Sequence, residues 1–376
     1  MKKIVLYIQT STMISYFVVP ISKFLSDNYE IHVFHIDSIN DCREPREFDN
    51  IIKHDVGNMS ASQIKRLLVK IDPEKMIFIN IYSLMELMML RIVKQTGIKA
   101  VFLQHGVFEM NASKRRYDKL AKNTYSEVVK LSKFIVKYID FLFASGHPFK
   151  ELAILHQAFI NRDFSKTKFD KAILFAPYWT HLINDKLKLA DSDISYSGYP
   201  ITESNEEFDK LVSAKRNVSN KAILIHQPFI KDKLTRFTYD MEKEYFVEIA
   251  DKLKYKGLSL VLLLHPREDL ELYKKIYMGT SISIIQNIEK EDYCKYRLAI
   301  GFYSTALFIP ISLNCPIWII DYDIIKAKDS IFFPLSCDAS NLLLEPNKTL
   351  YYYFKKEKIG LAECSSENIA KLIAEC

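Results

Sequence analysis

The chain has 376 residues, more than one hydrophobic core usually serves, so two domains are expected. Hydrophobic residues make up 49% and charged residues 26%, and only nine glycines and twelve prolines occur, a globular balance that argues against long disordered tracts. The formal net charge of +6 falls short of a nucleic-acid footprint but suits an anionic substrate, an anionic polymer or a membrane surface.

In chain order, Lys2–Gln9 reads as a first strand, Gln9-Thr10-Ser11-Thr12 as a polar turn and Met13–Ser26 as a helix. Tyr29–His35 is a second strand, and the charged stretch Asp37–Asn50 a loop. Ser60–Ile71 is helical with Ser60 as cap. Met76–Asn80 is a strand, Tyr82–Gln95 a helix, and Lys99–Leu103 a strand ending at Gln104-His105-Gly106. A long helical zone from Tyr117 to Tyr138 precedes a separate short element, Phe141–Ala144, and a helix from Pro148. Ala172–Phe175 and Ile194–Tyr196 are strands. Gly198-Tyr199-Pro200 then makes a turn, and the polar, acidic segment after it marks a domain boundary, dividing the chain into 1–200 and 201–376.

The second half repeats the alternation. Ala222–His226 is a strand and Met241–Lys256 a helix. Leu258–Leu264 has six apolar residues in seven, bounded by Gly257 and Pro266, as a strand buried on both faces does. Further elements are a helix Leu270–Tyr277, a strand Ile282–Gln286 and a short helix Glu289–Tyr296. Leu298–Ile320 has no charge and the length of a membrane span. Pro310, Asn314 and Pro316 interrupt it, so it reads as strand, turn, helix and strand inside a core. Strands alternating with helices predict two α/β, Rossmann-like domains facing across a cleft.

Ligands of open α/β sheets bind beyond the carboxyl ends of the strands, which selects three groups. At His265-Pro266-Arg267 an imidazole and a guanidinium can bond a phosphate. In Gly301-Phe302-Tyr303-Ser304-Thr305, Ser304 or Thr305 caps a helix and adds hydroxyl donors, either as an anion site or as an ordinary cap. In Gln104-His105-Gly106-Val107-Phe108-Glu109, His105 can take a proton from an acceptor hydroxyl, with Glu109 orienting it or serving as the base itself. The basic cluster Lys114-Arg115-Arg116 is either a dock for an acidic glycan or lipid headgroups or a solvated helix start.

No metal-binding, Walker-loop or hydrolase-elbow motif occurs, and none of the six cysteines forms a C-x-x-C pair. No secretory leader is evident, so reduced cytoplasmic thiols are expected.

Gln-His-Gly, His-Pro and Ser-Thr, taken in that order, resemble bacterial GT-B glycosyltransferases of surface polysaccharides. The similar groups are the sialyl- and Kdo-transferases that use CMP-activated sugars and the CDP-glycerol polyol-phosphate transferases, and the alternative within the same fold is a transferase that uses a UDP- or GDP-hexose. The resemblance implies a nucleotide-sugar-binding C-terminal domain, with His265, Pro266 and Arg267 near the nucleotide phosphate and Gly301, Ser304 and Thr305 on the donor phosphate. Gln227 joins them as a donor contact. It implies an acceptor-binding N-terminal domain with His105 as base and Ser11, Thr12, Gln104, Lys114, Arg115 and Arg116 toward a glycan or glycolipid. The interdomain Gly-x-Pro of these enzymes falls on Gly198-Tyr199-Pro200. The implied protein is cytoplasmic, in peripheral contact with the inner face of the plasma membrane, and needs neither cofactor nor metal nor nucleic acid. One departure stands out: the acidic motif that holds the sialyltransferase base is missing, which moves weight toward Kdo-like or CDP-polyol chemistry.

Overall fold

A computed structural model describes residues 1–40, 47–80, 84–106, 125–159, 166–180, 183, 187–198, 219–232, 234–302, 304–313, 315–323, 325–330, 332, 336 and 365–376. The chain divides into two compact units, Met1–His105 with Asn123–Pro200 and Cys364–Cys376, and Gly106–Lys122 with Ile201–Glu363.

The first unit is built on β1 (Lys2–Tyr7), β2 (Tyr29–His35), β3 (Ile51–Asp55), β4 (Lys75–Phe78), β5 (Lys99–Leu103), β6 (Lys171–Leu174) and β7 (Ile194–Tyr196). They form a parallel sheet in the order β3-β2-β1-β4-β5-β6-β7. The order reverses between β1 and β4, so the connections leave β1 and β4 in opposite directions and open a crevice at their carboxyl ends. A π-helical turn, Ile14–Val18, leads into α1 (Val19–Leu25), and a short α2 (Asp37–Asn40) follows β2. Next come α3 (Ala61–Ile71), α4 (Leu84–Thr96), α5 (Tyr125–Ala144) and α6 (Pro148–Phe159).

Ser60 caps α3 as expected, in a reciprocal box: its hydroxyl accepts from Gln63 N, and Gln63 Oε1 accepts from Ser60 N. Two local expectations are corrected. The Asp37–Asn50 loop contains α2. Strand β3 lies at the sheet edge with Ile52 exposed, so it lacks the apolar run of a central strand. Phe141–Ala144 is the last turn of α5, because Asp140 does not break the helix there: its carboxylate accepts from Ala61 N at 2.5 Å.

The second unit holds β8 (Lys221–Ile225), β9 (Ser259–Leu263), β10 (Ser283–Ile285), β11 (Leu298–Gly301) and β12 (Ile317–Ile319), parallel in the order β10-β9-β8-β11-β12. Its switch point lies between β8 and β11. Its helices are α7 (Tyr239–Lys254), α8 (Leu270–Ile276) and α9 (Phe308–Ser312). Leu298–Ile320 lies in this core as strand, 3-10 turn, helix and strand. No helix among the described residues is long and apolar enough to cross a membrane.

The terminal helix α10 (Ser365–Glu375) packs on the first unit, against α1. Its apolar stripe decides this: Ile369, Ala370 and Ile373 are buried in one cluster with Ile14, Phe17, Ile21 and Leu25.

Candidate functional site

In the second unit, three strand ends come together at the switch point. Neighbours β8 and β9 end at Ile225 and Leu263, which are paired in register, and β11 ends at Gly301 on the other side of β8. Past these ends stand His226-Gln227, His265-Pro266-Arg267 and Ser304-Thr305.

His265 is half-buried, and its Nδ1 accepts from the backbone N–H of Arg267 at 3.1 Å. Burial lowers its pKa to about 4, and Arg267 and His226 add to the effect. The ring is therefore neutral at ordinary pH, and its proton sits on Nε2 as a donor. Pro266 supplies the turn that lets this bond form and is itself exposed.

Arg267 is already engaged. Its Nη1 and Nη2 reach Asp232 Oδ1 and Oδ2 at 2.9 and 2.7 Å, a bidentate pair. Ser304 is the cap of the 3-10 turn Thr305–Leu307, and its Oγ accepts from Ala306 N at 3.2 Å. Accepting uses a lone pair and leaves the hydroxyl hydrogen for another acceptor. Gly301 has a packing reason: a Cβ there would lie 3.0 Å from Leu307 Cδ2.

Behind these ends lies a buried polar hub. Glu242 is fully buried; Tyr273 donates to it at 3.1 Å, Tyr322 donates to it as well, and His226 Nε2 is 3.2 Å away. Burial and the Glu242 charge raise both phenol pKa values far above the usual range, so they remain donors. Beside the hub, Gln227 Oε1 and Glu268 Oε1 are buried acceptors without a partner among the described residues.

In the first unit, His105 follows β5. Its Nδ1 lies 2.8 Å from the carbonyl oxygen of Ile79, just past β4. A carbonyl only accepts, so Nδ1 carries the proton and Nε2 presents a lone pair. Burial lowers the pKa of His105, opposed by the Ile79 bond. Phe17 meets the ring edge-on at 6.0 Å.

Gln104 is fully buried, and its Oε1 accepts from Phe175 N at 3.0 Å, so this side chain ties β5 to the end of β6. Past β1, Ser11 is buried and its N–H donates to Asp37 Oδ1 at 2.8 Å, while the Thr12 and Thr10 hydroxyls are 2.9 Å apart. Glu109, Lys114, Arg115 and Arg116 lie outside the described residues. Among the described residues, no group of three or more His, Cys, Asp or Glu is placed to hold a metal ion.

No protein-family model matches the sequence, and no curated protein matches it. Solved structures do match in shape. The glycotransferase of kitacinnamycin is similar over 100% of this chain and 98% of its own, with a TM-score of 0.57 at 10% identity. The wall teichoic acid polymerase TagF, in crystals soaked with CDPG, gives 0.53 at 11% identity over 100% of this chain and 88% of its own. MurG from Acinetobacter baumannii gives 0.50 at 8% identity over the whole of both chains. The chain has the GT-B fold.

Within this GT-B chain, sequence reasoning missed Asp232 and the Glu242 hub. Glu242 had a readable signal: it stands at position i of a stripe completed by Phe246, Ile249 and Leu253, all buried. A carboxylate on the apolar face of a helix needs buried donors.

Proposed function

We propose that this GT-B chain is a glycosyltransferase that takes a group from a cytidine-nucleotide donor to a hydroxyl of a surface-glycan acceptor. The first donor class is a CMP-activated, Kdo-like or sialic-acid-like sugar. The second is CDP-glycerol or another CDP-polyol, which the likeness to TagF, solved with CDPG, favours. CMP leaves in both reactions.

One observation carries the reading: His265 holds a neutral imidazole with an Nε2–H donor beyond the carboxyl end of β9, one strand from the switch point. As the acceptor oxygen bonds to the anomeric carbon, or to the β-phosphorus of a CDP-polyol, the bond to CMP breaks. Its electron pair passes to a phosphate oxygen of CMP. There His265 Nε2–H and the hydroxyls of Ser304 and Thr305 meet the growing charge. His105 Nε2, with its lone pair, takes the acceptor proton. Gln227 adds a donor-side acceptor atom, and Arg267 contributes through the turn that it braces with Asp232. Ser11 and Thr12 lie at the β1 end of the acceptor unit.

Thermal-shift titration with CMP, CDP, UDP and GDP tests the donor, since a ligand that binds the folded state raises its stability with concentration. A shift with CMP or CDP that His265→Ala abolishes is the expected result. Binding of UDP or GDP with none of CMP or CDP would overturn the cytidine assignment.

A further inference from the structure

The helix after β1 opens with an irregular turn, and Pro20 accounts for it. A proline at this place has no N–H to donate four residues back, and its ring crowds the carbonyl there. The ladder adapts just ahead of it: Val19 N–H donates to Ile14 O, five residues back, and closes the π-helical turn Ile14–Val18 before α1 begins. Single π-turns are uncommon and recur at functional sites. This one carries Phe17, whose ring stands against the imidazole of His105, with centroids 6.0 Å apart and planes at 84°.

Phe17 is buried and firmly backed. Its cluster includes Ile79 just past β4, Leu103 of β5, and Ile369 and Ile373 of α10. Helix α10 packs along α1 and is tied to the sheet by Lys75, whose Nζ donates to Ile373 O at 2.7 Å. The imidazole is held less completely. Among the described residues it makes one hydrogen bond, from Nδ1 to Ile79 O at 2.8 Å. One bond fixes Nδ1 but leaves the tilt of the ring free, and a change of tilt swings Nε2 through an arc. A second ring crossing the first at nearly a right angle blocks that tilt, and edge-to-face contact is a favoured arrangement for two such rings.

We propose that Phe17 sets the plane of the His105 imidazole, and with it the direction in which Nε2 meets the acceptor hydroxyl. The proposal rests on the reading of His105 as the base. Phe17 is buried and acts through His105, so it is a positioning residue. The expected size of the effect follows from geometry: misplacing a reacting atom by about 1 Å can cost about a hundredfold in rate. A phenylalanine that only filled space would behave differently. Leucine or methionine would replace it at a cost in stability alone, since cores tolerate apolar exchange of similar volume.

The test compares Phe17→Leu and Phe17→Met with the full-length parent. Both keep an apolar side chain in the cluster and remove the flat ring. The first readout needs no substrate: NMR relaxation of histidine-labelled protein, with the His105 ring signal assigned by its loss in His105→Ala. The order parameter of that ring should fall in both variants while those of the other histidines hold. The second is CMP release from CDP-glycerol or a CMP-activated sialic acid. There kcat should drop about ten- to a hundredfold with the donor KM within about twofold, and adding Phe17→Leu to His105→Ala should cost nothing more. An unchanged ring order parameter with unchanged kcat would overturn the proposal. So would an equal loss from Phe17→Leu with and without His105, which would make Phe17 a core residue only. Both of those results leave the base reading standing. Full turnover in His105→Ala would overturn that reading, and this proposal with it.

Discussion

The backbone N–H of Arg267 donates to His265 Nδ1, so the residue beyond the proline sets the tautomer of the imidazole. With Nδ1 occupied, all the donor capacity of His265 is on Nε2. A glutamine places its amide nitrogen near the Nε2 position, and an asparagine places its own near Nδ1. His265→Gln should therefore keep more turnover than His265→Asn, and Asn should fall about a hundred- to a thousandfold, as loss of a charge-stabilising donor does. Initial rates of CMP release from a donor panel measure this. Equal losses in the two variants would mean that Nε2 makes no contact that matters.

The two histidines predict where the pH profile bends. His105 must be neutral to accept a proton, and burial holds its pKa below the ordinary imidazole value of 6.5. The sign follows: kcat/KM stays level as pH falls through 6.5 and drops only below it. His265 stays neutral to about pH 4 and adds no limb above that point. A single acid limb below pH 6.5, absent in His105→Ala, is expected from kcat/KM measured across the range. A limb at or above 6.5 would separate His105 from the base role.

Buried parallel strands are continuous apolar runs, and function in such sheets sits at their ends. For that reason β5, β9 and β11, with His105, His265 and Ser304 beyond them, were legible in the residues alone. What the pattern could not show was pairing across the chain. The Gln104 oxygen accepts from the backbone of Phe175, 71 residues on. The Arg267 guanidinium pairs with Asp232, 35 residues away. The return of α10 to the first unit was equally hidden, since its stripe of Ile369, Ala370 and Ile373 announces a buried face without saying against what.

Glu242 is the hub under the second switch point, and its replacement tests how much the strand ends depend on it. Gln keeps the shape but loses the charge and offers an N–H₂ where Tyr273 and Tyr322 both donate. One buried donor is then left facing another, which costs about 1–3 kcal/mol. Urea unfolding of Glu242→Gln should show that loss, and Glu242→Gln combined with Tyr322→Phe should recover part of it. Strict additivity in that cycle would argue that the two side chains act separately.

Lys75 ties the end of the chain to the first sheet. It is fully buried, and its Nζ donates to the carbonyl of Ile373 at 2.7 Å and to that of Ala374 at 3.4 Å, with Glu74 Oε1 also 3.4 Å away. Lys99 reaches the carbonyl of Cys376 at 2.9 Å from an exposed position. The last turn of a helix has carbonyls without partners and a partial negative charge, and two ammonium groups here answer both. Burial pulls the Lys75 pKa down from its ordinary value, with Glu74 opposing, so the ammonium is held at a cost that its bonds must exceed. Lys75→Met is expected to lower stability by about 1.5–3 kcal/mol, the worth of hydrogen bonds to a charged group. Lys99→Met, at the surface, should cost less than about 1 kcal/mol. Hydrogen exchange gives the decisive readout: amides of α10 should lose protection in Lys75→Met ahead of those in β1 and β4. A methionine tolerated without loss would show that desolvation of the ammonium cancels its bonds, and that the buried face of Ile369 and Ile373 alone holds the helix in place.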